Sequence, residues 1–138
     1  MLAKSLLIWC VLFAGEHSPY HADARSLPVV VFQSDAQIDE GAGMDAEAWT
    51  DRDGTIYMPN KCRAMESTFC VGVLIHEAVH FLQYRKGDIY NADCLGPYEL
   101  EAYRAEDAYY RTRGETLGDY GISPVELAVI TMCQKPFP

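Results

Sequence analysis

Residues 66–88 read ESTFCVGVLIHEAVHFLQYRKGD, and the fold turns on how this stretch is taken. Its β-branched content would suit a strand, but the run is too long for one and both ends carry helix punctuation. Ser67 or Thr68 can cap the start. Arg85 and Lys86 fall in the last turn, where cations complement the helix dipole, and Gly87 can end it. The middle is apolar on nearly every side, so the helix belongs at the centre of the core. Three ionisable groups interrupt it in the order His76-Glu77-Ala78-Val79-His80. Groups of that kind are costly to bury unless they satisfy one another or a metal.

On a helix, positions i and i+4 share a face, so both imidazoles can point at one ion. Zinc accepts neutral imidazole nitrogens, and a catalytic zinc site needs three protein ligands and one open position. Glu77 lies beside the pair, where its carboxylate can take a proton from a water that the metal activates. The spacing H-E-x-x-H therefore meets the demands of metal-assisted hydrolysis; the bland alternative is a pair of satisfied core histidines. A third ligand is required. The chain has four histidines, and His17 and His21 lie in an N-terminal segment expected to be removed. That excludes H-E-x-x-H-x-x-G-x-x-H, and a carboxylate must serve. The stretch PYELEAYRAEDAYYRTRG (97–114) reads as a second helix, with Pro97 in its first turn, acids early, arginines late and Gly114 after it. It offers Glu99 and Glu101, which are about 200° apart on a helix, so only one can face the metal.

The N-terminus MLAKSLLIWCVLFAG has a lysine, an apolar run too short to span a bilayer, and then Ala22-Asp23-Ala24. This order predicts a secretory signal peptide over 1–24 and one mature domain over 25–138; a buried N-terminal helix is the other reading. Cys10 would leave with the signal. Cys62, Cys70, Cys94 and Cys133 then form an even set in a small exported chain, which implies two disulfides. Of three possible pairings, Cys62–Cys70 with Cys94–Cys133 is favoured. A four-cysteine zinc site lacks any Cys-x-x-Cys pair. The net charge of −9, without a basic run, argues against nucleic acid and anionic membrane partners.

Upstream of the central helix, LPVVVFQ (27–33) reads as a buried strand. SDAQIDEGAGM (34–44) reads as one helical turn and a loop. DAEAWTDRDGTIYMP (45–59) reads as a hairpin turning at Asp53-Gly54. Asp51 and Asp53 faintly suggest a calcium loop, but its other ligands are missing and turn chemistry explains them better. Downstream, SPVELAVITMCQ (123–134) reads as a third helix, with Ser123 and Glu126 as a capping box. Strands followed by helices imply an α+β fold, with a small antiparallel or mixed sheet before the three helices.

HEAVH followed by ELEAY resembles the gluzincin zinc metallopeptidases, which use H-E-x-x-H and a glutamate from a following helix. Several of those families write the second motif E-x-x-A-D or E-x-x-A-N with its first glutamate as ligand. The resemblance implies Glu99 as the third ligand and a minimal zincin-like domain. Tyr103 stands where those families carry Asp or Asn, one turn past Glu99; it is a candidate to brace a ligand or to donate to a developing oxyanion. The chain is also similar to small exported bacterial proteins of unknown function that pair HExVHxLQ with a cysteine-bearing loop and ExEAY, a likeness covering roughly residues 55–113. In gluzincin-like folds a strand ahead of the active helix borders the cleft, which makes TIYMP (55–59) a candidate edge strand for extended substrate. An ordinary sheet strand is the alternative.

The sequence therefore predicts a monomeric, secreted or periplasmic zinc metallohydrolase, a peptidase by resemblance. One zinc per chain would sit on His76, His80 and Glu99, with Glu77 and Tyr103 catalytic and a peptide or protein as substrate. The competing expectation is a non-catalytic or partner-dependent zinc-binding module.

Overall fold

The computed structural model describes residues 2–44 and 46–133. Asp45 and Gln134, at the margins of the expected hairpin and last helix, lie outside the described residues, as do Met1 and 135–138. The fold is α+β. In chain order its elements are α1 (Lys4–Glu16), β1 (Val29–Gln33), α2 (Asp35–Ala42), β2 (Trp49–Thr50), β3 (Thr55–Pro59), α3 (Thr68–Lys86), α4 (Gly96–Thr112) and α5 (Pro124–Ile130).

Helix α3 is the core of the molecule. Ser67 caps it by accepting the Cys70 amide at 3.0 Å, and Gly87 leaves it with φ 92°. Thirteen of its 19 residues are buried, because α4, α1 and the β2–β3 hairpin all pack against it. Gly72 permits a close approach of α4: a Cβ there would collide with the ring of Tyr110, which is wholly buried on α4. Two disulfides staple the arrangement, Cys62–Cys70 at the start of α3 and Cys94–Cys133 between the loop before α4 and the chain after α5. This is the pairing favoured from sequence, and each such closure contributes about 2–4 kcal/mol.

The sheet differs from expectation in two ways. Its order is β1–β3–β2, with β1 parallel and β2 antiparallel to β3. TIYMP is thus the central strand, and the edges are β1 and β2. Pro59 is tolerated because it ends the strand, opposite Gln33. The strand in LPVVVFQ is not buried: Val29 and Val31 are 62% and 36% exposed, and β1 has a strand neighbour on one side only. The β-branched run carried strand propensity, which is silent on depth. The segment after β1 holds more helix than expected, eight residues secured by a Ser34–Gln37 capping box. In the hairpin turn, Asp51 Oδ1 accepts the amides of Asp53 and Thr55, so its carboxylate serves turn geometry.

Within the segment expected to be a signal peptide, α1 packs on α3 and α4. Cys10, Val11, Phe13 and Ala14 of α1 are buried, and Trp9 and Phe13 meet Tyr109 edge-on at 5.8 and 6.0 Å. Burial pushes the unpaired Cys10 thiol up to about 12, which leaves it chemically inert beside the two bridges. Among the described residues no helix is long and apolar enough to cross a membrane.

Candidate metal centre

The i,i+4 spacing on α3 sets His76 and His80 edge to face with ring centroids 5.0 Å apart. Helix α4 crosses so that Glu99, in its first turn, meets both rings: His80 Nε2 lies 2.8 Å from Glu99 Oε1 and His76 Nε2 lies 3.4 Å from Oε2. One ligand atom from each of the three residues falls within 4.8 Å of the others, a group able to hold a metal ion. Glu101 turns away and accepts a 2.7 Å hydrogen bond from the Tyr20 hydroxyl. The half-turn between Glu99 and Glu101 thus separates a ligand candidate from a structural contact.

Two further side chains fix the rings. His76 Nδ1 donates to Glu106 Oε1 at 2.8 Å, and Glu106 Oε2 accepts the Tyr110 hydroxyl at 2.8 Å. His80 Nδ1 donates to Gln83 Oε1 at 2.7 Å, and Gln83 Nε2 donates to the Tyr98 carbonyl at 2.9 Å. With both Nδ1 atoms engaged as donors, each neutral ring keeps its Nε2 lone pair for the space beside Glu99, the tautomer that a metal requires. Sequence reasoning passed over Glu106, although it lies seven residues after Glu99 and so on the same helix face. It matched Gln83 to a motif without giving it a task.

Glu77 sits 3.9 Å from His76 Nε2 through its Oε2. Its other oxygen, Oε1, accepts the Thr50 hydroxyl at 2.9 Å, and that hydroxyl lies 3.1 Å from the Glu77 carbonyl. Strand β2 thus reaches across to α3 and turns one carboxylate oxygen toward the metal group. Thr50 carried no signal in the sequence; only the tertiary approach of β2 gives it a role. Tyr103 packs its ring against His76, centroids 4.4 Å apart at 73°. All five residues singled out from sequence therefore lie together.

The electrostatics follow the geometry. Burial alone would lower the pKa of His76, but hydrogen bonds to Glu106 and Glu99 and their charges outweigh it, leaving His76 well above the usual imidazole value. His80 is raised too, its burial outweighed by Glu99 and Glu77. Glu99 is driven up by burial and down, more strongly, by its bonds to both histidines, and it lies far below the usual carboxylate range. Burial raises the Tyr103 phenol. Protons taken up at the two Nε2 atoms would face Glu99, and a metal held by the three groups would have to displace them.

Comparisons of the chain with protein-family models, curated proteins and solved structures found no match.

Proposed function

We propose that the protein is a zinc-dependent hydrolase that cleaves peptide bonds outside the cytoplasm, with a gluzincin-type site. The observation that carries this reading is the convergence of His76, His80 and Glu99 with Glu77, whose Oε2 lies 3.9 Å from His76 Nε2. A site kept only for folding has no use for a base beside three ligands, and it closes its fourth position with a protein group. The two disulfides suit an oxidising compartment.

The donor set of two imidazoles and one carboxylate fits zinc. An ion held there supplies Lewis acidity, polarising a carbonyl and acidifying a water molecule. The chain's own residues do the rest. Glu77 takes the water proton on Oε2 and returns it to the departing amine, while Thr50 keeps Oε1 occupied. Tyr103, whose ring packs against His76, donates its hydroxyl to the oxyanion that forms on the carbonyl oxygen. Glu106 and Gln83 hold the imidazoles in register. One chain carries the whole set, so the working unit is a monomer with one metal, and a charge of −9 disfavours nucleic acid.

The test pairs metal analysis with a peptide-library digest. Protein purified without chelators should carry about one zinc per chain. Glu77→Gln should keep that zinc and lose cleavage. Cleavage that survives Glu77→Gln, or protein that binds no divalent ion, would refute the reading.

A further inference from the structure

Helix α4 starts without a side-chain cap. Ser34, Ser67 and Ser123 each accept a backbone amide at the head of α2, α3 and α5, whereas Leu95, ahead of α4, has no side-chain oxygen to offer. An uncapped helix start leaves its first amides without partners and frays more readily. Yet the first turn of α4 carries Glu99, whose carboxylate has to stand against both His76 and His80. That turn is held by other means.

From α3, Gln83 Nε2 donates to the Tyr98 carbonyl at 2.9 Å. From the chain after α5, the Thr131 carbonyl sits directly on Gly96, where any Cβ would collide with it. Cys133 is bonded to Cys94, two residues before that glycine and five before Glu99. Helix α5 adds little grip of its own: none of its residues is buried, and Leu127 packs partly buried against the core. The covalent bond therefore carries the attachment. It is also the more accessible of the two bridges. Cys62 and Cys70 are 0% and 5% exposed, whereas Cys133 is exposed and Cys94 half-buried. Access of this kind favours exchange at the outer bridge.

We infer that closure of Cys94–Cys133 completes the metal group, so that the chain gains its affinity for a divalent cation on oxidation. The two thiols give up two protons and two electrons to a disulfide oxidant. One thiolate attacks a sulfur of the oxidant, the second displaces it from the mixed disulfide, and the oxidant leaves as its dithiol. With the bond open, the loop before α4 parts from the chain after α5, the uncapped turn frays, and Glu99 spends less time between the imidazoles. His76 and His80 keep their places on the buried α3, but two ligands hold a cation more weakly than three. Metal uptake thus follows the redox poise around the chain. This inference rests on the metal-binding part of the reading above and not on its peptidase part.

The experiment measures zinc affinity of the full chain by competition against a chromogenic chelator, at a temperature where circular dichroism shows each sample folded. The samples are oxidised wild type, wild type reduced at the outer bridge by a phosphine and capped with iodoacetamide, and Cys94→Ser/Cys133→Ser. Opening the bridge by either route should weaken zinc binding about tenfold or more. Cys62→Ala/Cys70→Ala should melt earlier and yet keep the affinity of the oxidised wild type. Equal affinity with the outer bridge open and closed overturns the inference, and so does an equal loss in Cys62→Ala/Cys70→Ala, which would report general loosening. Peptide cleavage by the same samples is followed in parallel. Cleavage with an affinity that reduction does not move sinks the redox coupling alone, whereas zinc held in the oxidised state without cleavage sinks the hydrolase reading and leaves the coupling.

Discussion

Glu106 bridges His76 Nδ1 and the Tyr110 hydroxyl with two 2.8 Å hydrogen bonds, one to each carboxylate oxygen. It is 4% exposed, so it exchanges neither bond for water. It holds the ring of one candidate ligand and ties that ring to the tyrosine that packs on Gly72. Glu106→Ala should therefore weaken metal binding about 10–100-fold, as loss of such a brace does elsewhere. Glu106→Gln, which can still accept from His76, should lose less. Competition against a chromogenic chelator measures both. Equal affinity in wild type and Glu106→Ala would remove Glu106 from the site.

Thr50 gives the cleanest separation of metal binding from turnover. Its hydroxyl bonds Glu77 Oε1 and the Glu77 carbonyl, not a side chain of the metal trio. Thr50→Val keeps shape and removes the donor, leaving a buried carboxylate oxygen without its partner at a cost of about 1–3 kcal/mol. Zinc stoichiometry should stay at one, and the catalytic constant should fall about tenfold with little change in KM. Thr50→Ser should restore it. A Thr50→Val protein as fast as wild type would show that Glu77 needs no such orientation.

The parts of this site that could be read from sequence are those written within one helix. His76 and His80 announce themselves by spacing, α3 and α5 by their caps, and the two bridges follow from a four-cysteine count. Thr50, Gln83 and Glu106 stayed hidden because their roles depend on which neighbour another element brings near. The sheet order was hidden for a similar reason: β1 pairs with β3 across the whole of α2 and β2, and propensity cannot tell a central strand from an edge. The N-terminus shows the same limit differently. A lysine before an apolar run describes an export signal and a helix such as α1 equally well.

The ionisation of the centre predicts opposite pH dependences for the metal-free protein and for metal uptake. His76 and His80 are raised above 6.5, so their contribution to metal-free stability is full below that value and fades as pH rises through their folded pKa values. Glu99 is lowered from 4.5, so its contribution is present above that value and fades as pH falls through its folded pKa. Metal-free stability should peak between about 4.5 and about 6.5, seen as the pH of maximal melting temperature after chelation. Metal must displace the Nε2 protons, so its apparent affinity should rise with pH across the histidine range. Titration calorimetry in buffers of different ionisation enthalpy should show proton release on binding. An affinity independent of pH would mean that the imidazoles do not carry those protons.

Helix α1 sets the last prediction. Val11 and Phe13 are buried at 0% and 9%, and Tyr20, 8% exposed, delivers its hydroxyl to Glu101 next to the metal helix face. Burying two such apolar side chains gains about 3–6 kcal/mol before the entropy of ordering the segment is set against it. A chain beginning at Arg25 would expose Tyr109 and leave Glu101 to solvent. It should unfold at lower denaturant, with a net loss of about 2–4 kcal/mol, while keeping its metal group, because the polar partners of His76, His80 and Glu99 among the described residues come from α3 and α4. The intact mass of the folded protein recovered outside the cytoplasm reads directly whether residues 1–24 have been removed. A mass beginning at Arg25, together with undiminished stability of the 25–138 chain, would establish that α1 is an address that merely rests on the domain before it is cut away.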